Sequence, residues 1–181
     1  PRSKVITTKK SGAIQQRNAH GHESNLTNVD EAIGVLSTLH IPNLDCSIDD
    51  GGVLECLRDS KWQSRQKAVK SLVNYCESDE FEKEFSSSFS SAILFVVKEY
   101  TKGFKESNFN IVKAIMELMN ILCGLHARNE EPFPEWASME CTLLCVDRIS
   151  DKKLADSSQT LLSDLCTIRD PKEIIGTAFT R

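Results

Sequence analysis

The sequence lacks the features that mark membrane proteins and disulfide-rich secreted domains. Nowhere do 18 consecutive apolar residues occur, and the N-terminus has no apolar run of signal-peptide length. The seven cysteines are odd in number and show no paired spacing, which is typical of small buried hydrophobes in a reducing cytosol. We therefore expect a cytoplasmic protein without structural disulfides.

Recognisable catalytic motifs are also missing. The sequence has no phosphate-cradling glycine loop, no nucleophile and base at a known spacing, and no pair of catalytic carboxylates. Cys141 and Cys145 share one predicted helical face, with His126 upstream, but the run between the two cysteines is apolar and is typical of core filling rather than of a metal site. We expect no enzyme, no metal and no cofactor.

Charge is present but unevenly spread. The net charge is −4, yet residues 1–28 hold five cations against one acid, which gives that segment +4 and leaves −8 for the rest. Such a polar, basic segment cannot bury enough apolar surface to offset its ordering entropy, so we expect a disordered linker over 1–28. It is most simply a solvated linker, and it can also contact acidic partners such as nucleic acid, a membrane surface or an acidic protein face.

Apolar periodicity predicts helices throughout the remainder. Asn28 is placed to cap a lead-in helix, which Pro42 ends, so that residues 29–44 form a lead-in helix and loop and 45–181 the main domain. The further helices are predicted near 53–57, 62–76, 92–100, 108–125, 136–149 and 154–168, with another beginning at 170–179.

The predicted helices repeat in pairs joined by short polar connections, which indicates antiparallel hairpins. A shift of 92 residues superposes Asp59 on Asp151 and Lys61 on Lys153, and half that shift superposes apolar positions of successive second helices. A period of about 46 with two helices per unit is that of HEAT-type repeats. The sequence therefore predicts an all-α fold, a HEAT-repeat α-solenoid of about three antiparallel helix hairpins.

In such a stack the connections within hairpins form a row along one edge. They lie at 58–62, 105–109 and 150–154, and we call this row the turn ridge. It is the predicted binding surface.

Three runs on the turn ridge resemble a known family. The first run is LRDSKWQSR, residues 57–65, in which a tryptophan opens a helix and an arginine follows it three positions later. The second is GFKESNFNIV, residues 103–112, which places a Ser-Asn pair before a helix. The third is VDRISDKK, residues 146–153, which ends in two lysines. In this order and spacing they resemble the turns of TOG domains, which the microtubule polymerases use to bind soluble tubulin. The second run is similar to that of a middle TOG domain of an array.

The resemblance implies recognition of the αβ-tubulin heterodimer by a module that regulates microtubule growth at plus ends and in the spindle. It implies that Trp62 packs on β-tubulin and that later turns reach toward α-tubulin, whose acidic surface would attract the basic side chains. Basic linkers like 1–28 would hold the microtubule lattice in this family. The residues assigned to tubulin binding are Lys61, Trp62, Arg65, Lys105, Ser107, Asn108, Lys152 and Lys153.

The chain departs from the family in length. A full TOG domain continues beyond three hairpins, whereas here only the start of a fourth follows, at 170–179, with an apolar face that nothing in the sequence covers. We therefore expect a half-length domain with weaker affinity for tubulin.

Other interpretations stay open. The chain could be a general HEAT scaffold for a different protein, or a module whose basic segment binds nucleic acid or the lattice. Trp62 could pack on its own hairpin, and Lys152 and Lys153 could be solvated charges. Asn108 is predicted to cap its helix in any case, and Trp136 is interpreted as a core or capping residue after Pro134.

Overall fold

The computed structural model describes residues 26–39, 41 and 52–180, and 74% of these are helical, with no strand among them. The all-α prediction is confirmed, and the arrangement is compatible with an α-solenoid. Residues 1–25 of the predicted linker, and residues 40 and 42–44 of the predicted loop, lie outside the described residues.

Nine helices lie in the described part of the chain. They are α1 (Val29–Leu36), α2 (Val53–Arg58), α3 (Trp62–Cys76), α4 (Asp79–Glu84), α5 (Ser87–Tyr100), α6 (Phe109–Asn129), α7 (Glu135–Arg148), α8 (Ala155–Ile168) and α9 (Pro171–Phe179). The bounds predicted for α3 are confirmed, those of α2, α8 and α9 differ from prediction by one residue at one end, and α7 lies one residue earlier than predicted at both ends. Helix α6 runs past the predicted end at residue 125, because Leu125 and His126 are both buried and continue its apolar face.

Side chains cap the starts of several helices. The side chain of Asn28 accepts from the Glu31 N–H at 2.9 Å, and the Glu31 carboxylate accepts in return from the Thr27 N–H at 2.9 Å. Asn108 caps α6 by accepting from the Asn110 N–H at 2.9 Å. These bonds satisfy donors that a helix start leaves unpaired, and they confirm the predicted capping roles of Asn28 and Asn108.

Two helical segments differ from the sequence prediction. Helix α4 was not predicted, and α5 begins at Ser87 rather than at residue 92. The serine-rich run reads as a loop because serine is a weak helix former. However, Ser86 caps α5, and the buried Ser90 and Ser91 hydroxyls lie 2.9 and 3.3 Å from ring nitrogens of His126 and Trp136. Contacts with residues distant in sequence therefore stabilise the helical conformation at the start of α5.

Helix α6 is the centre of the packing. It packs on α3 on one side and on α8 on another, while α1 packs on α5, α2 on α3, and α7 on α8 and α9. Among the described residues only α6 has the length and hydropathy of a membrane span, but 61% of its most apolar window is buried inside the fold. This burial is the behaviour of a core helix.

Five of the six described cysteines are buried, as the sequence predicts, and Cys46 lies outside the described residues. Burial raises the pKa of four of these thiols, those of Cys76, Cys123, Cys141 and Cys145. They are therefore protonated core side chains near neutral pH. Within the described ranges no group of three or more histidine, cysteine or acidic residues is placed to hold a metal ion.

His126 is a buried polar residue in an aromatic cluster. Its ring stacks edge-on against Phe85 and Phe133, with centroids 5.0 Å away in both cases, and Nε2 lies 2.9 Å from the Ser90 hydroxyl. Nδ1 lies 3.2 Å from the main-chain oxygen of Glu131. Burial lowers the pKa of His126 to about 4, so the imidazole is neutral at pH 7.

The stability of the fold is therefore expected to fall on acidification. Between the unfolded pKa of about 6.5 and the folded pKa of about 4, the unfolded chain binds a proton at His126 that the folded chain does not bind. Lowering the pH from 7 to 5 should reduce the unfolding free energy through this group by about 2 kcal/mol, as measured by urea titration.

The matched control is His126→Gln, which keeps a polar side chain but does not titrate. Its unfolding free energy should be lower at both pH values but should change less between pH 7 and pH 5 than that of the parent chain. An equal change in the two proteins would show that other groups cause the pH dependence.

Candidate protein-interaction site

The turn ridge maps onto three connections of the described structure. Its segments 58–62, 105–109 and 150–154 lie where α2 passes to α3, α5 to α6 and α7 to α8. Side-chain contacts of Arg65 and Lys153 join the first segment to the second and the second segment to the third. They show which of the predicted residues face outward and which are engaged within the chain.

Arg65 is engaged within the chain. Its Nε and Nη2 donate to Oε2 of Glu106 at 2.8 and 2.6 Å, and its Nη1 donates to the main-chain oxygens of Asp59 and Ser60 at 2.9 and 2.8 Å. The side chains of Arg65 and Glu106 are only 13% and 2% exposed. Arg65 therefore ties the first connection to the second, which is a different role from the outward contact predicted from sequence.

Glu106 also contacts helix α7. Its main-chain oxygen accepts from Nη2 of Arg148 at 2.8 Å. Because Arg148 is the last residue of α7, this bond reaches the start of the third connection. We call these contacts the Arg65–Glu106–Arg148 network, and it bridges all three connections.

The first and third connections share a local structure. Oδ1 of Asp59 accepts from the Lys61 N–H at 2.9 Å, and Oδ1 of Asp151 accepts from the Lys153 N–H at the same distance. The Lys61 N–H, followed by the Ser64 hydroxyl, holds the pKa of Asp59 below its usual value. The aspartates and lysines that a shift of 92 residues superposes thus occupy equivalent turns.

Two aromatic side chains stand at the starts of the helices that follow. Trp62 is the first residue of α3 and is 37% exposed, and Phe109 is the first residue of α6 and is 38% exposed. Nζ of Lys153 lies 4.2 Å from the centroid of the Phe109 ring. This cation–π contact joins the second connection to the third.

The remaining predicted residues differ in exposure. Four of them are exposed: Lys61, Lys105, Ser107 and Lys152. Asn108 caps α6 and is half-buried. The predicted core role of Trp136 is confirmed: its indole packs edge-on against Phe95 with centroids 5.8 Å apart.

Sequence reasoning missed Glu106, Arg148 and Phe109. Glu106 and Arg148 lie inside the runs that carry the family resemblance, but an internal ion pair leaves no periodic signal that would distinguish it from surface charge. Phe109 was detectable, since it stands 47 positions after Trp62, at the equivalent helix start.

Chemically, the ridge offers an exposed indole and several exposed ammonium groups. Such a surface suits an acidic protein partner, because aromatic anchors supply contact area and cations supply orientation. Comparison with protein-family models, with curated proteins and with solved structures gives no match.

The Arg65–Glu106 pair is expected to contribute measurably to stability. Glu106→Gln removes the negative charge and leaves the Arg65 guanidinium, which is only 13% exposed, without a charged partner. The unfolding free energy in urea should fall by about 2 kcal/mol, the scale of a hydrogen bond to a charged group.

Glu82→Gln is the matched control, because it removes the ion pair of Glu82 with Arg128, whose side chains are 50% and 59% exposed. An exposed pair of this kind is worth less than about 1 kcal/mol. Equal losses in the two variants would contradict a special role for the buried pair.

Proposed function

We propose that the chain is a non-enzymatic tubulin-binding module of a microtubule-associated protein, acting in the cytoplasm on microtubules and the spindle. The turn ridge is the proposed contact surface, and the αβ-tubulin heterodimer is the proposed partner. One observation carries the proposal: Trp62, the residue that opens the family-like run, is 37% exposed at the ridge although it is a large aromatic.

The proposed architecture is a HEAT-type solenoid of antiparallel hairpins. Its support is the spacing of α3, α6 and α8, which begin at Trp62, Phe109 and Ala155, 47 and 46 residues apart. Helix α6 packs on both α3 and α8, and the first helices α2 and α7 pack on α3 and α8 respectively. Side-by-side packing of successive units is what a solenoid requires.

The charge of the ridge supports an acidic partner. The ridge carries the exposed Arg58 and four exposed lysines, Lys61, Lys105, Lys152 and Lys153, in a region whose overall charge from residue 29 onward is −8. Positive charge is therefore concentrated at the ridge, although the net charge of residues 29–181 is negative. Such local concentration orients an acidic partner and speeds its association.

Trp62 is suited to anchor that partner. A tryptophan has only two rotatable side-chain bonds and a large contact area, so little entropy is lost when it is buried in an interface. Its main chain is already fixed by the Asp59 turn and by the contacts of Arg65 to Asp59 and Ser60. The indole is thus presented on a rigid support.

Trp62→Ala tests this anchor. We expect it to weaken binding to unpolymerised tubulin by ~2 kcal/mol, about 30-fold in Kd, since truncation of an interface hot spot costs that much. Co-elution and fluorescence titration measure the change, and circular dichroism should show unchanged helicity because the side chain faces outward.

Met139→Ala is the control, since Met139 is an exposed apolar residue, 47% accessible, in the middle of α7 and outside the turn ridge. It should bind tubulin like the parent chain. If the parent chain failed to bind tubulin yet bound another protein through the ridge, the general scaffold would replace tubulin binding.

The lysines of the third connection should act mainly on the association rate. The double variant Lys152→Gln and Lys153→Gln should lower the association rate constant several-fold at low salt and flatten its salt dependence, with a smaller effect on dissociation. Lys70→Gln with Lys83→Gln removes the same charge from exposed positions off the ridge. Stopped-flow rates that are equal for the two double variants would argue against steering by the ridge.

A further inference from the structure

A pocket of about 410 Å³ lies beside the middle connection of the turn ridge. Its walls come from the connection between α5 and α6, from the C-terminal half of α7, and from Thr180 after α9. Lys105 belongs both to this pocket and to the ridge. A partner lying on the ridge at Lys105 would therefore lie at the pocket as well.

Arg148 brings unused hydrogen-bonding capacity to the pocket wall. A guanidinium carries five N–H donors, and the bond that its Nη2 donates reaches the main-chain oxygen of Glu106. Its Nε is buried and has no acceptor among the described residues. Because Nε is buried, an incoming acceptor would bind the Nη nitrogens of this half-buried guanidinium.

Lys105 adds a second positive charge. It is exposed and forms no salt bridge among residues 26–39, 41 and 52–180. The acids of the wall do not neutralise it: Glu140 is paired with Lys98 at 2.5 Å, and Asp147 is itself engaged within the chain. Two cationic side chains thus remain for a ligand.

The connection that carries Lys105 has a fixed shape. Three consecutive residues adopt positive φ: Lys102 at 56°, Gly103 at 67° and Phe104 at 63°. The Phe104 side chain is only 2% exposed. The Gly103 N–H donates to the main-chain oxygen of Lys98 at 2.8 Å. Because the buried phenyl ring and this bond hold the turn, Lys105 starts from a defined position at the pocket.

We infer that the pocket is a subsite for a carboxylate side chain, supplied by an acidic segment of the protein that lies on the turn ridge. The inference rests on the proposed function only in using the ridge as the docking surface. A planar carboxylate matches the fork of a guanidinium and accepts two parallel N–H bonds. Lys105 contributes a point charge at the same subsite.

The direct test uses a fluorescein-labelled peptide with six consecutive glutamates between glycine–serine flanks, and the same peptide with glutamines. Fluorescence anisotropy with the whole chain should show binding of the glutamate peptide alone. Lys105→Gln and Arg148→Lys should each weaken that binding by about fivefold or more, the loss expected for a charge-assisted hydrogen bond. Lys83→Gln, the same charge change at an exposed site on α4, should leave it within about twofold.

Amide chemical shifts locate the peptide. Gly103 and Thr180 line the pocket, so their amide signals should move during titration. Equal losses in Lys83→Gln and Lys105→Gln, or shifts confined to residues 1–28, would overturn the subsite, because the peptide would then be held by general attraction to positive charge. Equal binding of the glutamine peptide would overturn it too, as would competition by free glutamate at the same concentration as the peptide.

Tubulin binding by the same variants separates this inference from the proposed function. If Trp62→Ala abolishes tubulin binding while Lys105→Gln and Arg148→Lys leave it unchanged, the ridge function stands and the subsite is overturned. If the glutamate peptide binds at the pocket but tubulin does not bind the ridge, the subsite stands and the tubulin proposal fails.

Discussion

The ion pair between Arg65 and Glu106 is the contact on which the candidate site depends. A charge as deeply buried as Glu106, which is 2% exposed, is tolerated only when it is paired and hydrogen-bonded, because its desolvation is expensive. Arg65 meets that requirement with two N–H bonds, and its third nitrogen holds the first connection. The main-chain oxygen of Glu106 then receives Arg148. One residue thereby fixes the relative positions of three connections that are distant in sequence.

Much of the helical framework could be predicted from sequence, because local rules govern it. The apolar periodicity of α3 and α6 identified residues that prove buried, such as Leu72 and Ile115, and the capping roles of Asn28 and Asn108 follow from side-chain chemistry near a helix start. The equivalence of Asp59 and Asp151 was visible as a repeat and appears as two turns with the same hydrogen bond.

The parts that could not be predicted depend on contacts between distant residues. Arg65 was assigned to tubulin binding because it follows Trp62 by three positions in the family-like run, and only the fold places Glu106 against it. Likewise the serine-rich start of α5 contradicts helix propensity, and it is helical because Ser90 and Ser91 meet His126 and Trp136. In both cases a polar side chain packs in the interior against a partner at least 36 positions away in the sequence. A contact over that separation leaves no local pattern in the sequence.

The inward position of Arg65 changes how the ridge would bind a partner. An arginine that reached outward would have to be ordered on binding, whereas here its ordering is complete in the free protein and rigidifies the turn that presents Trp62. The exposed lysines have long side chains, and each would cost about 0.5–1.5 kcal/mol to immobilise fully, so they are better suited to orienting a partner at a distance than to close contact. If the ridge binds a partner as proposed, affinity would depend on the Trp62 indole and on the carboxylate subsite at Arg148, and both are held by the same network. Glu106 would then affect binding without contacting the partner, because the network sets the distance between the indole and the Arg148 guanidinium.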